Sequence, residues 1–131
     1  MSLVEFPYTS HKGYLLPIIP ITILGQKIWV YVDSGAMFSI FHTETAKRLG
    51  INLQDGRLQM IVVGDGSYIP TYLHDLVLRL DKFEVTAPIG FSERLGVGFN
   101  ILGRKGIFDQ FQVCFNDYTR NVTFQKLSPI I

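Results

Sequence analysis

Apolar and polar positions alternate imperfectly along most of this chain, and the runs stop at glycine, proline or an acid–glycine pair. Residues 28–32, Ile-Trp-Val-Tyr-Val, predict a strand entered from a tight turn at Gly25-Gln26-Lys27. Before it, residues 14–24 are rich in Ile, Leu and Thr. Pro17 and Pro20 remove donors there, which predicts an edge or bulged strand. Residues 58–63 and 67–73 flank Gly64-Asp65-Gly66, a strong hairpin signal. Residues 76–80 and 83–87 predict a second hairpin turned at Asp81-Lys82, and residues 112–115 and 122–125 a third around Asn116-Asp117-Tyr118. Residues 99–102 predict a strand after a glycine-containing loop at 90–98. Two short helices are expected. The first is 43–49, with Thr43 as cap, Glu44 in the first turn, Lys47 and Arg48 in the last, and Gly50 at the left-handed C′ position. The second is 104–110, weakened by Gly106. Strand, glycine turn and short helix thus occur at 28–49 and again at 99–110, a weak internal repeat. Residues 1–13 are expected to be irregular and 127–131 a tail. The pattern predicts one mostly-β domain over residues 1–131.

Composition narrows the possibilities. Hydrophobic residues make up 47% and charged residues 18% of 131, so disorder is not expected. Twelve basic and 11 acidic residues give a net charge of +1 without a basic stripe, which argues against a nucleic-acid partner. The longest apolar stretch, 14–24, is too short and too broken to span a bilayer, so no membrane partner is expected. No signal peptide is visible, which points to the cytoplasm. Cys114 is the single cysteine, so an intrachain disulfide is impossible. Its apolar segment predicts inert packing, and Trp29 is expected in the core. His11, His42, His74 and Cys114 are scattered without metal-ligand spacing, so no metal and no organic cofactor are expected. Residues 98–105 nearly imitate a phosphate loop but lack its Gly-Lys-Ser/Thr ending. Asn121-Val122-Thr123 fits a glycosylation sequon, which means little without a secretion signal.

The chemistry gathers at Val32-Asp33-Ser34-Gly35-Ala36-Met37-Phe38-Ser39. A carboxylate at the end of an apolar strand is costly to bury unless hydrogen-bonded. Gly35 lets the backbone turn close to it, and Ser34 supplies a hydroxyl beside it. Hydrolysis of an amide by carboxylates needs one acid to deprotonate a water and another to protonate the carbonyl oxygen. The chain carries no second strand-Asp-Ser/Thr-Gly segment. A pair of such acids therefore needs two chains related by a two-fold axis. Two carboxylates about 4 Å apart repel by roughly 4 kcal/mol at an effective dielectric near 20, so they share one proton and titrate jointly.

This segment resembles the active-site signature of retropepsin-like aspartic proteases (retroviral-type, clan AA), of the single-domain cellular or prokaryotic type. Asn100-Ile101-Leu102-Gly103-Arg104 resembles the second signature of that family, and Val63-Gly64-Asp65-Gly66-Ser67-Tyr68-Ile69-Pro70 sits where its flap hairpin lies. The resemblance runs in order from about residue 14 to 126. It implies a closed β-barrel-like acid protease fold with two short helices, assembled as a homodimer. It implies Asp33 as the catalytic acid, Ser34 bonding across the axis, and Gly35 and Ala36 keeping the backbone close to substrate. Met37, Phe38, Tyr68 and Ile69 are the candidate substrate contacts, under a flap of Val63, Gly64, Asp65, Gly66 and Ser67. Ile101, Leu102, Gly103 and Arg104 form the second signature. The expected function is an aspartic endopeptidase acting on a peptide or protein substrate. The alternative is a catalytically silent retropepsin-like dimerisation or peptide-binding module; a small-ligand β-barrel with no role for Asp33 is a third reading. Two departures stand out. Met37 and Phe38 occupy positions where viral members carry an acid that pairs with the second-signature arginine. Arg104 is left with Asp109, Glu44 or an acid of the other chain, and the pocket beside the dyad becomes apolar.

Overall fold

β-Branched and aromatic residues fit a pleated, half-buried surface, and in the computed structural model, which describes residues 2–128, they build twelve strands. Leu3–Pro7 (β1), Thr9–His11 (β2), Tyr14–Leu16 (β3), Ile18–Ile23 (β4), Gln26–Val32 (β5) and Ser39–His42 (β6) come first. The helix Thr43–Leu49 (α1) and a 3-10 turn at Leu53–Asp55 follow. Arg57–Val62 (β7), Tyr68–Leu80 (β8), Phe83–Ser92 (β9), Asn100–Leu102 (β10), Phe111–Asn116 (β11) and Asn121–Lys126 (β12) complete the order.

Seven strands form one sheet in the order β4-β5-β10-β6-β9-β8-β7. β4 also pairs with β8, Thr22 opposite Arg79 and Ile23 opposite Leu78, so the sheet curls back on itself into a ring. Ile19, Ile21, Ile28, Val30, Val32, Leu78, Leu80, Ile89, Phe91 and Leu102 are buried in its main core. β10 lies parallel to β5, with Leu102 opposite Val32, and antiparallel to β6. A second sheet, β1-β12-β11, packs onto the same core through Val4, Phe6, Phe111, Val122 and Phe124. The Phe124 ring meets Phe6 and Phe111 edge-on at 5.8 and 5.9 Å. The Tyr8 hydroxyl donates to Asp117 at 2.8 Å; burial first, then that carboxylate, pushes its pKa up to about 12.

Several expectations change. Residues 3–7 and 9–11 are strands, because Val4 and Phe6 alternate inward against β12. Residues 68–80 form one continuous strand where two were expected; β9 pairs with residues 72–80, across His74-Asp75, so no break develops there. β9 likewise runs on to Ser92, into the expected loop. Residues 104–110 form a series of turns, not a helix: Gly106 has φ +78° and packs against Ala87, and a left-handed residue cannot continue a helix. Half of the internal repeat therefore survives, as the parallel pair β5 and β10. Helix α1 has the expected bounds and Gly50 its left-handed φ of 73°, but His42 holds the N-cap position and Thr43 is buried. Trp29 is 47% exposed, on the outer face of β5, and Cys114 is exposed on β11. Residues 129–131 of the expected tail lie outside the described residues.

Candidate active site

Asp33 follows directly on β5, and its amide prolongs the ladder by donating to the Leu102 carbonyl at 3.0 Å. The chain then turns, with the Ala36 amide donating to the Asp33 carbonyl. The Gly35 amide donates to Asp33 Oδ1 at 2.8 Å, and a Cβ on Gly35 would stand 3.2 Å from that oxygen. The carboxylate is thereby oriented by its own loop while remaining partly open to solvent.

The segment after β10 clamps this loop. Three successive amides donate to it: Gly103 to Ser39 Oγ at 2.9 Å, Arg104 to the Ala36 carbonyl at 2.9 Å and Lys105 to the Met37 carbonyl at 2.8 Å. The two stretches that the sequence marks as signatures are thus one hydrogen-bonded unit, held together by backbone and one buried hydroxyl. The Arg104 side chain is exposed and is in neither of the two ion pairs among the described residues, Arg57–Asp75 and Arg79–Glu84. Asp109 does not serve it; its carboxylate accepts from the Gly106 amide instead.

A cleft of about 1010 Å³ opens beside Asp33. Gly35, Ala36, Met37, Phe38, Ile40 and Ile101 line its floor. Its roof is the hairpin of β7 and β8: Gln59 to Asp65 and Tyr68 line the cleft. At the tip, the Gly66 amide donates to the Val63 carbonyl and Gly66 takes φ +84°. Asp65 accepts from both the amide and the hydroxyl of Ser67, which holds its carboxyl below the usual range, the side-chain bond first. Of the other predicted residues, Ser34 is exposed, Leu102 and Gly103 are buried, and Ile69 packs with Ile40, Ile61 and Leu73 under the hairpin, off the cleft wall. Lining residues not expected from the sequence are Ile40 on the floor, Gln59, Met60, Ile61 and Val62 on the roof, and Leu95, Gly96 and Val97 on a side wall. Leu95 and Val97 alternating with the exposed Gly96 and Gly98 are the available signal for that wall. Among the described residues no group of three or more His, Cys, Asp or Glu could hold a metal. No helix among them is long and apolar enough to cross a membrane.

Residues 19–103 match the family described as aspartyl protease. The chain is similar in structure to a retropepsin-like aspartic protease from Rickettsia conorii, with a TM-score of 0.70 and 16% identity over 94% of this chain and 91% of that one. It is also similar to the retroviral protease-like domain of Ddi1 from Leishmania major (TM-score 0.62, 18% identity, 86% and 94% covered). EIAV protease, in complex with the inhibitor HBY-793, aligns with a TM-score of 0.56 at 19% identity, over 73% of this chain and 88% of that one. No curated protein sequence matches at significant similarity. The fold is mostly β and retropepsin-like.

Proposed function

The chain belongs to the aspartyl protease family, and on that premise we propose that it is a homodimeric aspartic endopeptidase whose paired Asp33 residues, one from each chain, hydrolyse a peptide bond. The observation that carries this reading is the position of Asp33: a carboxylate oriented by its own loop at the edge of a roofed cleft, in a sequence with no second strand-Asp-Ser/Thr-Gly segment. One carboxylate deprotonates the water and the other protonates the carbonyl oxygen, the pair holding one proton between them. Ser34 is exposed where a partner loop would approach, consistent with a bond across the axis. Gly35 and Ala36 bring backbone to the reacting bond. Met37 and Phe38, with Ile40 and Ile101, offer apolar walls to substrate side chains. The β7–β8 hairpin acts as a flap: residues 63–67 close over an extended peptide, and Tyr68 touches it. No metal or cofactor enters this chemistry.

The test is cleavage of a peptide library between acidic and neutral pH, with Asp33→Asn as control. Cleavage is expected for the wild type and a loss of at least about a thousandfold for the variant; equal cleavage by both would sink the mechanism. A second reading, a silent peptide-binding dimer, is favoured by Arg104, whose side chain has no ion pair among the described residues. Saturable peptide binding without turnover would select it.

A further inference from the structure

A second hollow, of about 630 Å³, lies between β2, the outer face of β5, α1 and residues 98–100. None of its lining residues lines the cleft at Asp33. Its floor is mixed: Ile18 and Ile28 are buried apolar residues, and Thr45 and Asn100 are buried polar ones. Asn100 accepts from the His42 amide at 2.8 Å and donates to Thr45 Oγ1 at 3.1 Å. The His42 ring has no such arrangement. Its Nε2 is buried without a hydrogen-bond partner among the described residues. Such an orphan costs free energy until a donor or acceptor reaches it. His42 lines the hollow, so a polar atom seated there can supply that partner.

The rim carries one charge of each sign. Glu44 and Arg48 both line the hollow and both are exposed. They stand four residues apart on α1, in the order that favours a Glu–Arg pair on a helix. Yet they form no ion pair with each other among the described residues. Arg48 turns away instead, donating to the Lys27 carbonyl at 2.7 Å. That bond holds the guanidinium in place and leaves its other N–H groups for a second acceptor. The Lys27 ammonium is engaged elsewhere, 5.9 Å over the Trp29 ring. Trp29, 47% exposed, and Phe99 supply aromatic sides to the hollow.

These groups discriminate by charge. An anion alone would meet Glu44 and a cation alone Arg48, whereas a molecule that carries a carboxylate and an ammonium together satisfies both. The aromatic sides suit a flat ring, and His42 Nε2 calls for a polar atom at the ring's far end. We propose that the hollow binds a free α-amino acid with a polar-tipped aromatic side chain. The carboxylate lies on Arg48, the ammonium on Glu44, the ring beside Trp29 and Phe99, and the tip is hydrogen-bonded to His42 Nε2. The volume suits this occupant, since pockets for small molecules run to about 300–1,000 Å³. The site does not depend on the peptidase reading.

The test is calorimetric titration of the full chain with tyrosine, with three analogues that each lack one feature, and with inorganic phosphate. Phenylalanine lacks the polar tip, tyramine the carboxylate and hydroxyphenylpropionate the ammonium. Tyrosine is expected to bind saturably and each analogue at least about tenfold more weakly, because a site built for a polar group rejects a ligand without it. Arg48→Gln should bind tyrosine and tyramine alike, and Glu44→Gln tyrosine and hydroxyphenylpropionate alike; both positions are exposed, so the fold is kept. Trp29 is the only tryptophan, so its emission reports occupancy of this hollow in the wild type. Asp33→Asn should bind tyrosine as the wild type does. Absence of tyrosine binding overturns the proposal. Hydroxyphenylpropionate or phosphate binding as tightly as tyrosine overturns it by making the hollow a plain anion site. Loss of binding in Asp33→Asn, or binding that leaves Trp29 emission unchanged, overturns it by placing the ligand outside the hollow.

Discussion

Gly103 has no room for a side chain: a Cβ there would stand 2.4 Å from the Phe38 carbonyl oxygen and 2.8 Å from that of Ala36. Both obstacles are backbone, so they cannot rotate away. Gly103→Ala is expected to cost about 2 kcal/mol or more, read as a lowered denaturation midpoint with an unchanged slope, and to pull Arg104 and Lys105 off the Asp33 loop. An unchanged midpoint would show that the clamp yields. The sequence displayed Gly103 and Ser39 as motif letters, but not that the amide of one donates to the hydroxyl of the other. That bond joins residues 64 positions apart, and no local pattern encodes such a contact. Trp29 shows the complementary limit. Periodicity gives alternation but not which face is inward, so Trp29, expected in the core, lies on the outer face of β5.

The β7–β8 hairpin is legible in the sequence because Asp65-Gly66 between apolar runs specifies a turn before any tertiary contact forms. Its titration is not. The fold favours ionised Asp65 through Ser67, so this stabilisation is complete above the ordinary carboxyl value of 3.8 and is lost as the pH falls through the lowered value. Hydrogen exchange of the Ser67 amide, expressed relative to an unfolded peptide at each pH, should therefore show constant protection from pH 7 to about 5 and a fall below about 3.8. Asp65→Asn keeps an acceptor in the turn but does not titrate, so its protection should stay flat; a fall in both proteins would assign the effect elsewhere. The expected second helix is absent for a reason at this same scale. Sequence alone makes Gly106 a weak helical residue, whereas it takes a left-handed φ against Ala87. Nothing in the residues of β8 itself announces that β9 will pair across His74-Asp75, so the sequence alone reads two strands there. The β7 face opposite Ile61 is also unexpected: Leu58, Met60 and Val62 are exposed, across from Tyr72, Pro70 and Tyr68.

For the molecule as a whole, the proposed site is half-built in each chain. Activity per milligram is therefore expected to rise with protein concentration and level off as the dimer saturates, with the midpoint matching the dissociation constant from sedimentation. A specific activity constant over three decades, with a monomer by sedimentation, would contradict a shared site. The class of fold and the order of signatures could be read from the chain, because hydrophobic alternation and turn residues are local. Closure of the ring through β4 and β8 could not, since Thr22 and Arg79 meet only in the finished fold. The pairing of β1 with β12, Leu3 opposite Gln125, has a further consequence, for biosynthesis. At about 5–20 residues added per second, β1 is synthesised roughly 6–25 s before its partner strand. Val4 and Phe6 remain exposed through that interval, and the nascent chain cannot seal its core until β12 has emerged.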